Sequence, residues 1–279
     1  MYPVMFYPVF LTVLGSSLLA VVLNAVNLYL HSRLQSRTRQ YTMIYVHMAF
    51  LLIYAVSTTV YSVYMIYVHL TSLHGLLSAF WIDNVTYSLM FSVKMMEVFL
   101  AVDRVLAISS LLLYRSRIKY NLACCLGSSV LCFVTALCFF YSKLKSEFKS
   151  AIYIAEFLQP IALYVPTIAG FIFSFLSIAT TILVILKVRR FRRKLESSSR
   201  LSNAGTVRKV NSMVVNQLIL ALVFQVLPNF TTISVHTFWN FSINLVVAPV
   251  GPTLMSVYVA VCSVLYWKKL ERKPNAASG

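Results

Sequence analysis

Charge is the scarcest thing in this chain. Only 11% of its 279 residues are charged, and Asp plus Glu number seven. Soluble domains carry about a quarter charged residues, so a water-facing enzyme or a free-standing binding module is a poor match. Cysteine chemistry is thin too. Cys124, Cys125, Cys132, Cys138 and Cys262 all sit in apolar runs. None has the CxxC or Cys/His spacing of a metal site, and none lies in a stretch suited to an extracellular disulfide. They read as packed or lipid-facing thiols. There is no HExxH, no GxSxG and no phosphate-binding glycine loop. No enzyme activity, cofactor or metal is therefore expected. The N-terminus lacks a basic n-region and a small-residue cleavage site, so the first apolar run reads as an anchor that stays in the protein.

What the chain has in excess is apolar length. It is 59% hydrophobic, with a mean hydropathy of +0.80. A helix needs about 20 mostly apolar residues to cross the hydrocarbon. Seven runs qualify, at about 7–30, 43–69, 83–109, 121–142, 160–186, 213–235 and 243–267. The last two come from one uncharged stretch, 210–267, which is too long for one helix and breaks near 236–242. The expected fold is all-α: a single domain built as a seven-transmembrane helix bundle.

The net charge of +17 would point a soluble protein toward nucleic acid. Here the basic residues fall in short blocks between apolar runs, so membrane topology explains them and no nucleic-acid partner is expected. Loops 1, 3 and 5 and the tail hold nineteen of the 24 Lys and Arg; loop 4 holds three; Lys94 and Arg104 lie inside span 3. The positive-inside rule then sets the N-terminus outside and the C-terminus in the cytoplasm. The sequons at Asn84 and Asn240 fall near the outer surface and are candidate glycosylation sites. The one at Asn229 falls inside span 6.

The chain's chemistry concentrates in 94–108, KMMEVFLAVDRVLAI. Charges within a membrane segment are costly, about 2.5–3.5 kcal/mol each on the insertion scale, and usually face a bundle interior. Lys94 and Glu97 are three apart and so neighbours on one helical face. One reading is a self-neutralising pair. The other is a Lys94 that receives an acidic ligand or holds a resting state through Glu97. Asp103 and Arg104 lie about 15 Å further along the axis, at the cytoplasmic end of span 3. They read either as a switch or as a stop-transfer Arg that snorkels to the interface. A small ligand would enter between the outer halves of the helices. Thr86, Tyr87 and Met90 are pocket candidates above Lys94, with Gln225, His236 and Trp239 from spans 6 and 7. No carboxylate occurs between Asp83 and Lys94, which disfavours an amine ligand. Pro166 and Pro228 are candidate hinges, because proline kinks helices and membrane helices tolerate it. The basic stretch 187–194 suits anionic lipid or a cytoplasmic partner. Residues 266–273, YWKKLERK, suit an amphipathic helix on the inner leaflet.

FLAVDRVLAIS, in a seven-span chain with its N-terminus outside, resembles the DRY-type element of rhodopsin-like G-protein-coupled receptors. Asp103 and Arg104 match its acid and arginine, with Val105 in place of the tyrosine. Asn24 in VVLNAVNLYL resembles the span-1 asparagine, Pro166 the span-5 proline, and 224–228, FQVLP, the span-6 aromatic-x-x-x-Pro region. The overall look is similar to nematode serpentine chemoreceptors of the Srbc kind. The resemblance implies a chemosensory or olfactory receptor at the plasma membrane, sensory cilia included, multi-pass and set among membrane lipids. It implies an odorant- or pheromone-like ligand and a heterotrimeric G protein as partners, with Asp103 and Arg104 as the G-protein switch. Departures are clear. Span 2, HMAFLLIYAVSTTVY, has no aspartate; span 7 has no NPxxY; and the outer cysteines are missing. The rival is a transporter or ligand-gated channel for a small solute, which would also place ionisable groups at mid-membrane.

Overall fold

In the computed structural model, residues 6–34, 42–71, 77–109, 111–145, 157–159, 164–196, 204–231, 234 and 250–271 are described. Seven helices account for nearly all of them: α1 (Phe6–Leu34), α2 (Thr42–Thr71), α3 (Leu77–Ser109), α4 (Leu111–Ser142), α5 (Tyr164–Glu196), α6 (Ala204–Ala221, continued by a π turn, Leu222–Val226, and helical residues 227–231) and α7 (Val250–Glu271). Each contains a segment long and apolar enough to cross a membrane. The protein is a multi-pass helical membrane protein.

Cross-helix contacts fix the winding. Ser17 meets Thr59 and Phe6 meets His69, so α1 and α2 are antiparallel. Ser57 with Thr86, and Tyr64 with Ser78, make α2 and α3 antiparallel. Asn84 and Ser92 reach the carbonyls of Leu137 and Ser129, so α4 runs against α3. On the other side Ser16 meets Ser256 and Asn27 meets the Ser263 carbonyl, so α1 and α7 are parallel. Lipid is as apolar as leucine, so the hydrophobic effect does not drive these helices together. Close packing of small hydroxyl residues and interhelical hydrogen bonds do, at about 0.6 kcal/mol per bond.

The helices differ in how deeply they sit. In the most apolar window of α3, 61% of residues are buried; in that of α4, 11% are. The central helix thus carries the charge, and the peripheral one carries mostly apolar side chains facing outward.

Three boundaries differ from the sequence expectation. The stretch before span 3 reads as a loop to residue 82, but α3 starts at Leu77. After Gly75 no residue there breaks a helix, and Phe80 packs on Phe157 while Trp81 stacks on Tyr141. The basic loop at Arg115, Arg117 and Lys119 is instead the first turns of α4, which extends beyond its apolar segment at Ile118–Ser142. The loop-5 bases likewise lie largely on the ends of α5 and α6. Leu144 and Leu158 form an isolated antiparallel bridge, Lys145 N–H bonding the Phe157 carbonyl at 2.9 Å. That bridge seats the fully buried Phe157 against Phe80 at the end of the bundle.

Candidate functional site

α3 presents one inward stripe at the 3.6-residue period: Asp83, Thr86, Met90, Lys94, Glu97, Ala101 and Arg104 are all buried. Asp103, one residue off that stripe, is buried as well. All five charged side chains of the helix are therefore turned away from lipid, as the cost of a charge in hydrocarbon requires.

At the far end of the stripe Arg104 donates from Nε and from one terminal guanidinium nitrogen, Nη2, to Asp103 Oδ2, with Nε at 3.0 Å. Adjacent helical residues point about 100° apart. The long Arg side chain closes that gap by folding back on its neighbour. Only 2% of Arg104 and 1% of Asp103 is exposed, so this ion pair is enclosed and not snorkelling to a surface.

The other two charges behave differently. Lys94 and Glu97 do not form the direct salt bridge that one reading of their spacing predicts. Glu97 turns to α6, where Gln225 Nε2 donates to both its oxygens, at 2.9 and 3.1 Å. The Tyr258 hydroxyl of α7 lies close enough to Glu97 to interact with it electrostatically. Lys94 Nζ instead sits 5.9 Å from the centre of the Phe91 ring. It lines a narrow cleft with Phe173, Ser174 and Ser177 of α5 and Gln225 and Val226 of α6. The cleft holds about 180 Å³ of space including its mouth and is too tight for a water-sized sphere.

Gln225 reaches Glu97 from an irregular stretch of α6. The helix widens into a π turn at Leu222–Val226, and the Leu227 N–H bonds back to the Leu222 carbonyl, five residues earlier. Pro228 follows directly. In a regular helix its ring would clash with the carbonyl four residues back and leave it without a donor. The wider turn accommodates both, and π turns of this kind concentrate at functional sites. Pro228 therefore lies at a real irregularity. Pro166 is in the first described turn of α5, and the residues just before it, 160–163, lie outside those described.

A second polar cluster lies among residues that the sequence reading did not single out. Gln217 of α6 is within 3.2 Å of His47 Nε2 on α2 and 3.4 Å of the Tyr258 hydroxyl, and the Tyr266 hydroxyl donates to Gln217 Oε1. Tyr266 also approaches His47 Nδ1 at 3.3 Å. All four side chains are fully buried. Through Tyr258 the cluster joins Glu97, so one polar chain links α2, α3, α6 and α7. A polar residue recurring inside an apolar run was the available signal; His47 and Gln217 carry it, but nothing in the sequence pairs them.

The remaining candidates divide. Thr86 is fully buried and bonds Ser57 of α2 at 3.0 Å. Tyr87 is partly buried beside Asp83, and Met90 is buried in the core. None of the three lines the Lys94 cleft, so among the described pocket candidates Gln225 alone joins Lys94 there. His236, Trp239 and Asn240 lie outside the described residues. Asn84 is not a surface sequon: it is fully buried between α3 and α4, bonding the Leu137 carbonyl and accepting from Ser88. Its amide satisfies a neighbouring helix and has no room for a glycan. Among the described residues no three His, Cys, Asp or Glu gather as a metal site. No protein-family model matches this chain, and no curated protein matches it either.

Proposed function

We propose that the chain is a chemosensory receptor of the G-protein-coupled type, which binds a small external molecule within the bundle and activates a heterotrimeric G protein. The observation that carries this reading is the enclosed Asp103–Arg104 pair, at one end of a central helix whose middle is tied to the π turn of α6 through Glu97 and Gln225. A ligand that moves α6 disturbs that tie. The same helix, displaced at its other end, would open a cleft beside Arg104. The ligand can shift the balance only through unequal affinity for the two states. The proposed orientation puts the N-terminus outside and the C-terminus in the cytoplasm, at the plasma membrane. Basic ends of α4, α5, α6 and α7 then face the cytoplasm and its anionic lipids.

The test is an odorant and metabolite screen, read as nucleotide exchange on a reconstituted heterotrimeric G protein, with Arg104→Ala in parallel. The expected result is a compound that binds both proteins and drives exchange only with the wild type. Current or uptake driven equally by both proteins, without exchange, would sink the receptor reading.

The second reading is a transporter or channel. Its supporting observation is the series of buried polar groups His47, Gln217, Tyr258 and Glu97, which ends three residues from Lys94 on α3. Intramembrane ionisable residues often mark ion or proton routes. Proton flux into liposomes holding the purified chain, abolished by Glu97→Gln, would favour it.

A further inference from the structure

Lys94 is an anomaly among the buried charges. Its neighbour Glu97 has both oxygens engaged by Gln225, and Arg104 has Asp103. Lys94 Nζ makes no hydrogen bond and no ion pair to any described residue, although the side chain is only 8% exposed. A lysine held this way in apolar surroundings is costly unless something anionic joins it. The cleft it lines supplies one more donor, the Ser177 hydroxyl, while the Ser174 hydroxyl beside it already donates to the Gly170 carbonyl and accepts from Asn229. Ser177 and Ser174 of α5 are buried to within 7% and 4% exposure. Phe173 and Val226 make the walls apolar.

We propose that Lys94 is the head-group site for a single-chain amphiphilic carboxylate, a free fatty acid or similar acid, bound between α5 and α6. Among the described residues α3, α5 and α6 line the cleft. The proposed way in is the α5–α6 seam, where Phe175 and Val223 are exposed on the two helices. An acyl tail lies along that seam while the carboxylate takes charge-assisted hydrogen bonds from Lys94 and the serine hydroxyl. A free acid brings one compact carboxylate to the cleft, whereas a phospholipid brings phosphate and glycerol with two tails, so the free acid asks for less widening. The cleft must widen to admit one, and the π turn that holds Gln225 and Val226 is the part of its wall able to give. This site deepens the receptor reading but does not depend on signalling, because binding is measured directly.

The test uses the full chain in phosphatidylcholine nanodiscs with a photoreactive decanoic acid. Labelling on α5 or α6 peptides should be competed by decanoate and not by decanol or methyl decanoate. Lys94→Met should lower labelling at least tenfold, and Lys94→Arg should keep most of it. Ser177→Leu, which blocks the cleft and leaves the lysine in place, should lower it as strongly as Lys94→Met. Equal competition by decanol, or unchanged labelling in Lys94→Met, overturns the proposal. Competition by phosphatidic acid at the same mole fraction also overturns it, by assigning the lysine to a membrane lipid. Binding without nucleotide exchange leaves this site standing and removes the receptor reading; exchange without acid binding does the reverse.

Discussion

Two pairs of opposite charges lie on α3, and their fates are opposite. Asp103 and Arg104 are sequence neighbours, which on a helix point apart, yet they pair. Lys94 and Glu97 are three apart, where side chains normally meet, yet each turns elsewhere. Spacing on a helix therefore decides which groups can meet; the neighbouring helices decide which do. Near Glu97 the π turn of α6 brings a bidentate amide donor, and the carboxylate takes it. A neutral amide leaves the carboxylate's charge in place, so Lys94 still feels Glu97 across the gap. The pair is loosened without being neutralised. At the other pair the flexible Arg stem does the work that spacing does not.

The comparison breaks most sharply at Asp103. Asp103→Asn keeps the shape and removes the charge that Arg104 faces. Breaking a buried ion pair by removing one partner costs about 3–5 kcal/mol. The lower end is expected, about 3 kcal/mol, because the long Arg104 stem can carry its charge toward the interface. Denaturant unfolding of the purified protein in mixed micelles measures it. A loss below about 1 kcal/mol would mean that the pair behaves as an exposed one.

Gln225→Leu sharpens the comparison from the other side. It leaves the Glu97 carboxylate without its bidentate donor while Tyr258 and the charge of Lys94 remain. Hydrogen bonds to charged groups contribute about 1.5–3 kcal/mol, and a loss in that range is expected. A carboxylate so released should swing toward Lys94, three residues back on the same face. Infrared difference spectra of the carboxylate stretch, in Gln225→Leu with and without Lys94→Met, report whether the salt bridge forms. If the two spectra match, the amide of Gln225 is not what keeps Lys94 and Glu97 apart.

Much of this was legible before any coordinates. Apolar run lengths are set by membrane thickness, so all seven helices and the inward stripe of α3 follow from composition and period. Helix ends were less legible: the bases at Arg115 and Arg117 read as a loop because they are charged, while the helix simply extends past its apolar segment. The π turn was half legible, since Pro228 forces an irregularity but does not say of what kind. The polar cluster was not legible at all. His47, Gln217, Tyr258 and Tyr266 come from three helices, and no sequence spacing encodes their meeting. Asn84 shows the converse error: a sequon is a local pattern, and burial against Leu137 is a tertiary fact.

The smallest effect is expected where the sequence drew most attention. Lys94→Met keeps the length of the stem and removes a cation that no described residue bonds. Apolar replacement of buried charges is often neutral or stabilising, so the change in unfolding free energy should lie within about 0.5 kcal/mol or favour the variant. The loss of attraction to Glu97 works the other way, but the lysine's own desolvation works against the wild type and is the larger of the two in a wall of Phe91, Phe173 and Val226. A lysine that contributes nothing to stability there is what the proposed anion site requires. If instead Lys94→Met destabilises the fold as much as Asp103→Asn, the two pairs are alike after all. The loosened one is then structural, and the cleft has no claim to a ligand.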